Sequence, residues 1–239
     1  MKFLDITLPT IEENLALEEA LLDECEESRR AETLRFWESP HHCVVVGHAN
    51  RVAREVKMSR CRQWQIPVLR RRSGGGAVLQ GPGCLNYALV LAIEEDGPLS
   101  TIARTNEFVL GRIRRTLEGL LGHPVTLEGG TDLCLDGRKF SGNAQRRRLH
   151  SLLYHGTILT RLDIELVEEL LPMPTKEPPY RQGRAHRDFM TNVQLSAPAL
   201  REAIRKEWNA TEEFGAIPVE RVREIVAERY ALDSWNFRF

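Results

Sequence analysis

Three short stretches of this 239-residue chain carry residue types that could do chemistry together. The first is RRRSGGGAVLQGPGCLNY, Arg70 to Tyr87, with five glycines between Gly74 and Gly83 behind three arginines. Glycine loses more backbone entropy on folding than any other residue, so the run answers either a tight turn or a ligand that must touch bare main chain. Spacing alone leaves both open. In the second case the loop's N–H groups face a phosphate and Arg71 pairs with it by charge. The second stretch, GTDLCLDGRKFSGNAQ, puts Lys139 just before Ser141-Gly142-Asn143-Ala144. A lysine on a hairpin is ordinarily solvated, but before a small-residue turn it can aim its ammonium into a cleft. The third, YHGT, offers His155 and Thr157 as polar points on a strand-like run.

Two nucleotide loops fail the comparison. No Gly-Lys-Ser or Gly-Lys-Thr occurs, and the glycines lie between two strand-like runs rather than opening a helix. The five cysteines form no C-x-x-C pair, which fits reduced thiols better than disulfides or zinc. His41-His42-Cys43 runs straight into a strand whose neighbours face opposite ways, so no metal is expected there. The net charge of −1 gives no global field for nucleic acid or an anionic membrane. No apolar run approaches the roughly 18 residues of a membrane span, and the first residues lack a signal-peptide core. The chain is expected to be cytoplasmic.

The elements that must position these residues can be read in outline. Thr10 and Glu13 have capping-box spacing before a helix with Ile11, Leu15 and Leu22 on one stripe, Leu17 and Leu21 beside it, and Arg29-Arg30 at its end. TLRFWE, HCVVVGH, IPVLRRR, LNYALVLAI and SLLYHGTILT read as strands, the fourth buried on both faces. REVKMSRCRQWQ is helical in period, and a further helix opens at Ser100 with Ile102, Val109, Ile113, Leu117 and Leu120 near helical spacing. Asp136-Gly137 supplies a hairpin turn before Lys139. DIELVEELLP reads as a short helix, MPTKEPPYRQGRAHRDF as a basic, proline-rich loop. Two helices, APALREAIRKEW and PVERVREIVAERY, follow. Loosely alternating strands and helices, with hairpins as well as crossovers, predict an α+β fold with a mixed, largely antiparallel sheet flanked by helices. No linker divides the chain, so one domain over residues 1–239 is expected.

RRRSGGGAV, TDLCLDGRKFSGNAQ and HGTIL, in this order, resemble the lipoate–protein ligase family of the biotin/lipoate ligase superfamily. RFWESPHHCVVVGHANRVAREV, IPVLRRRSGGGAV and RYALDSW extend the likeness over most of the chain. The resemblance implies a two-step reaction. Lipoate (or octanoate) and ATP, with Mg2+, give the acyl-adenylate and pyrophosphate; a lysine of a carrier domain then takes the acyl group as an amide. Lys139 would be the central catalytic lysine. Arg71, Ser73, Gly74, Gly75 and Gly76 would hold the adenylate, and His155 and Gly156 the acyl pocket. Ala77, Asn86, Asp132, Ser141, Gly142, Asn143, Ala144 and Thr157 complete the implied substrate site, which has no protein-bound metal. The implied partners are lipoyl-carrier domains of 2-oxoacid dehydrogenases or a glycine-cleavage H protein; in place of the C-terminal accessory domain many ligases carry, the chain is expected to do without one, to borrow one from a separate accessory chain, or to catalyse only part of the cycle. The basic segment YRQGRAHRDF either docks an acidic carrier or is a solvated loop.

The sequence departs from the family pattern after the glycines. Gln80, Gly81 and Cys84 replace the usual His, Asp and Asn, while Asn86 is kept. GPG followed one residue later by leucine is similar to the related octanoyltransferases, which move an acyl group without ATP. Those transferases need a cysteine after the His-Gly block or well before the lysine hairpin, and neither place holds one here. The ligase reading is therefore preferred over the transferase. A non-catalytic lipoyl- or carrier-binding protein on the same scaffold is the remaining alternative.

Overall fold

A computed structural model describes residues 1–29 and 31–239. The elements run β1 (Lys2–Asp5), α1 (Ile11–Ser28), β2 (Thr33–Trp37), β3 (Cys43–Val46), α2 (Val52–Glu55), α3 (Met58–Gln63) and β4 (Val68–Arg70). Past the glycine loop come β5 (Val78–Gln80), β6 (Cys84–Ala92), α4 (Ile102–Leu121), β7 (Thr126–Glu128), β8 (Asp132–Leu135), β9 (Arg138–Arg147) and β10 (Ser151–Leu159). The chain then forms α5 (Ile164–Leu170), α6 (His186–Phe189), α7 (Ala197–Glu207), β11 (Glu212–Glu213), α8 (Val219–Ile225) and α9 (Asp233–Asn236).

Eight strands form one sheet in the order β11-β1-β2-β6-β10-β9-β8-β7, and β4-β3-β5 form a second, small one. Only β11–β1 and β1–β2 pair in parallel in the large sheet, so the expected mixed, largely antiparallel α+β architecture is what the chain adopts. Side chains on a strand alternate between faces. Leu34, Tyr87, Leu152 and Tyr154 face α4 and α7, whose Val109, Ile113, Leu200 and Ile204 complete one core. Trp37, Ala88, Val90 and Leu153 face the other way, toward α1, α8 and the small sheet. Arg35, Asn86, Gly142, Ala144, His155 and Thr157 lie on this second face.

The capping box at Thr10 forms as its spacing predicts: Glu13 N–H donates to Thr10 Oγ1 at 3.2 Å, and Thr10 N–H to Glu13 Oε2 at 3.0 Å. Helix α1 is not a one-striped helix, however. Asn14, Glu18 and Glu19 are buried with the leucines, because α1 lies between the sheet and α8. Arg30, read as closing this helix, lies outside the described residues. Helix α4 begins at Ile102 rather than Ser100, because Thr101 Oγ1 accepts from Arg104 N–H and so serves as its cap; Ile102 itself is exposed. The run read as one helix over REVKMSRCRQWQ is broken in two by the extended Val56, φ −139°.

The basic segment is not a solvated loop. It makes a 3₁₀ turn at Pro179–Arg181 and then α6, with Arg181 and His186 buried. Arg184 donates to the Gly137 and Tyr180 carbonyls, Arg187 pairs with Glu168, and Thr191 N–H bonds Lys139 O. The segment is a strap laid on the lysine hairpin. No helix among the described residues is long and apolar enough to cross a membrane.

Candidate active site

The sheet register brings the separated motifs together. Trp37 pairs with Asn86, Asn86 with Thr157, Thr157 with Gly142, and Gly142 with Asp132. That row crosses β2, β6, β10, β9 and β8 on one face. The next row on the same face is Arg35, Ala88, His155 and Ala144. The three blocks lie far apart in sequence because each is one strand of a common floor.

The glycine loop joins β4 to β5 and forms the opposite wall. Gly75 has φ +88°, a left-handed conformation that a side chain rarely adopts. Arg71 holds the turn: Nε donates to Ser73 Oγ (3.1 Å), Nη1 to Val45 O (3.0 Å), and Nη2 to Gly74 O (2.7 Å) and Gly76 O (2.9 Å). Four donors thus go to the loop and its neighbour, and burial pushes the guanidinium down to about 10. Its first role is to shape the loop, not to present a free charge to a phosphate.

Lys139 and the loop share a cavity. An inner limb of about 120 Å³ is lined by Arg71, Gly75, Gly76, Asn86, Asp132, Lys139, Gly142, Asn143, Ala144, His155, Gly156 and Thr157, with Leu15, Glu18, Trp37 and Gln80 at its buried side. An outer limb of about 390 Å³ runs from Lys139, Ala77 and Ser141 to Leu159, Val167, Phe189 and Met190 under the strap. Gly76, Asp132, Lys139, Gly142 and Thr157 belong to both, so the ammonium stands where the limbs meet. Two expected site residues line neither: Gly74 is exposed at the rim, and Ser73 lies buried behind the wall.

Three polar chains fix the groups. Lys139 Nζ is 2.9 Å from Asp132 Oδ1, and Tyr180 OH donates to Asp132 Oδ2 at 2.7 Å. Burial, and then the Asp132 charge, push the Tyr180 hydroxyl up, so it remains a donor. A Cβ at position 142 would come within 2.9 Å of Lys139 Cε and Nζ, which is why glycine stands there. On the inner side Ser73 Oγ is 2.6 Å from His155 Nε2, and His155 Nδ1 is 2.6 Å from Glu18 Oε2. Glu18 also accepts from Trp37 Nε1 at 2.8 Å. Burial pushes the Glu18 carboxyl up, but His155, Arg35 and the two hydrogen bonds outweigh it and hold it low. Asn143 serves the wall: its Oδ1 accepts from Tyr87 OH at 2.5 Å and its Nδ2 donates to Thr131 O.

Sequence reasoning missed Glu18, Trp37 and Tyr180. Glu18 sits among eight acids of a helix that reads as solvated, and Tyr180 in a segment that reads as a loop. The i+3 and i+4 relation of Glu18 to Leu15, Leu21 and Leu22 was the available signal for the former.

The residues present form no all-protein cage for Mg2+, an ion that nucleotide sites hold with one or two carboxylates and the phosphates. Among the described residues no three His, Cys, Asp or Glu side chains converge. Gln80 is bonded to Asn86 at 2.8 Å, and Asp132 is already shared by Lys139 and Tyr180. No cysteine lines either limb. Burial pushes the thiols of Cys25 and Cys84 up to about 12 and that of Cys134 to about 11.

The lipoyl protein ligase A/B catalytic domain matches residues 10–207, and the chain belongs to that family. It is 27% identical to octanoyltransferase LipM of Carboxydothermus hydrogenoformans, over 95% of this chain and 94% of that one. It is 30% identical to a putative lipoate-protein ligase A of Aeropyrum pernix, over 91% of this chain and 85% of that one. In fold it is similar to the bipartite lipoate protein ligase of Thermoplasma acidophilum, studied with its E2 lipoyl domain, with a TM-score of 0.83 and 20% identity over 99% and 95% of the two chains.

Proposed function

We propose that the chain is a lipoate–protein ligase-type enzyme: it activates lipoate or octanoate with ATP and passes the acyl group to a lysine of a lipoyl-carrier domain. The observation that carries this reading is the position of Lys139, at the junction of two limbs that also share Gly76 and Gly142. A carboxylate is a poor electrophile and must first be joined to a better leaving group. The two limbs offer the acyl chain and the nucleoside separate seats on either side of Lys139. The bond between them then falls beside the ammonium, where negative charge grows on the α-phosphate and the attacked carbonyl. A donor fixed at such a point is worth about 10² to 10³ in rate. Holding the carrier amine beside the same carbonyl is an orientation effect.

The second reading is acyl transfer from a carrier without ATP, favoured by the likeness to the octanoyltransferase. The lack of a cysteine in either limb counts against it. Pyrophosphate release from lipoate and ATP separates the two, with octanoyl transfer from acyl carrier protein as the converse assay. Lys139→Ala is expected to lower pyrophosphate release by about 10²-fold or more while the thermal unfolding profile holds. Unchanged turnover would remove Lys139 from its role.

A further inference from the structure

The run Gly74 to Gly76 has no side chains to stiffen it, and glycine gives up the most backbone freedom on folding. Arg71 braces this loop from within. Its root is braced from 165 residues further along the chain. Strand β4 is an edge of the small sheet. Arg71 N–H bonds Val46 O on β3, so the N–H and C=O of Arg70 point the other way, where no strand meets them. Buried main-chain groups need partners, and two side chains of α9 supply them. Asn236 Oδ1 accepts from Arg70 N–H at 3.1 Å, and Trp235 Nε1 donates to Arg70 O at 2.8 Å. Asn236 is 5% exposed and is itself fixed, since its Nδ2 donates to Tyr230 O at 2.9 Å. Tyr230 ends a π-helical turn, Val226–Tyr230, that follows α8. Arg229 and Tyr230 both meet the buried Glu19, which also pairs with Arg72. The C-terminal segment therefore grips the chain on both sides of Arg71.

Arg70 carries this grip to the glycines. Its Nε donates to Trp235 O at 3.1 Å, and its Nη1 reaches the carbonyls of Gly47, His48 and Asn50 at 3.0, 3.1 and 2.8 Å. Those residues lie against the back of the loop. His48 N–H donates to Ser73 O at 2.9 Å, and a Cβ at position 47 would come within 2.0 Å of Gly75 O. The contacts thus run from α9 through Arg70 and the turn at Gly47 to Gly75, which with Gly76 lines the inner limb.

We infer that Trp235 and Asn236 are positioning residues for the glycine loop, although neither lines the cleft. The effect on rate rests on the acyl-activating reading; the effect on the loop does not. A pair that merely held the fold together would loosen loop and sheet alike when lost. A positioning pair loosens the loop while the central strands keep their protection.

The test is hydrogen exchange of the full chain, read by mass spectrometry, in Trp235→Phe and Asn236→Ala. Peptides over residues 72–77 should exchange about tenfold faster in each variant, the scale of one lost hydrogen bond, while those over β6 and β10 keep the parent's rates. Phe237→Ala, at an exposed neighbour in the same segment, should leave the loop as in the parent. Carrier-free pyrophosphate release from lipoate and ATP should fall about tenfold in the first two variants. Unchanged loop exchange overturns the inference. So does a rise spread evenly over the loop, β6 and β10, or an equal rise in Phe237→Ala. A loosened loop with the parent's turnover overturns it too. If Asn236→Ala fails to fold, Trp235→Phe decides alone, because it removes one N–H donor from a partly exposed ring. Loop exchange that quickens as stated, in a protein whose parent form releases no pyrophosphate, keeps the positioning role and refutes the activation chemistry instead.

Discussion

Deleting the Tyr180 hydroxyl tests how the Lys139 ammonium is held. Tyr180 lines neither limb; it acts through Asp132, whose Oδ2 takes the phenol proton at 2.7 Å while Oδ1 takes Lys139 at 2.9 Å. Hydrogen bonds to charged groups contribute about 1.5–3 kcal/mol. The Asp132 side chain is 11% exposed, so water replaces part of the loss and about 1–2 kcal/mol remains. In Tyr180→Phe the carboxylate turns both oxygens on Lys139, and the ammonium offers less of its charge to the reacting centre. Turnover in carrier-free pyrophosphate release should fall about tenfold, the rate equivalent of about 1.4 kcal/mol. The KM for lipoate should hold, because the phenol lines neither limb. A Tm lower by a few degrees, about 2–4 °C per kcal/mol for a chain of this size, should accompany it. A lowered Tm with unchanged turnover would refute the reasoning and leave Tyr180 a packing residue. The control is Asp132→Asn, which must slow the reaction whichever way the tyrosine falls.

Other outcomes follow from the same geometry. Glu18 is held below its ordinary 4.5, so its contribution to stability is complete above that pH and is lost as pH falls through the lower folded value. Glu18→Gln should therefore lower stability at neutral pH and flatten the acid limb of a urea-unfolding series; parallel acid limbs would contradict this. Gly142→Ala should reduce turnover with little change in Tm, since the new methyl meets the flexible end of Lys139 rather than backbone. Equal losses in both would show that the glycine serves the sheet instead. All five cysteines are buried, so alkylation of the native protein at pH 8 should be slow and leave activity intact. A fast thiol whose modification abolishes acyl transfer would restore the transferase reading.

Much of this site was legible as order along the chain, and the sheet explains why. Asn86, Thr157, Gly142 and Asp132 form one row, so three motifs distant in sequence had to appear together if the strands paired in that register. The Asp136-Gly137 turn was readable because both residues take positive φ, 50° and 70°, as a two-residue hairpin demands. What escaped the sequence was the direction of charge. The acids of α1 look like a solvated face, yet Glu18 is buried because His155 and Trp37 offer it partners from strands 19 and 137 residues away. Arg71 looks like a phosphate ligand, yet three carbonyls and Ser73 take its donors.

The two cases share one cause. A buried charge must be paired or hydrogen-bonded, and its partners come from whichever strands the topology places opposite. Local spacing does not carry that information. It follows that nearness to the glycines in sequence does not tell which arginines keep free donors once the fold has closed. Arg71 is satisfied within the wall, whereas among the described residues Arg146 and Arg238 bond carbonyl oxygen and His48 and make no ion pair with a carboxylate. Which charge the closed fold leaves without a carboxylate is thus a property of strand order and register, not of the spacing within any one motif.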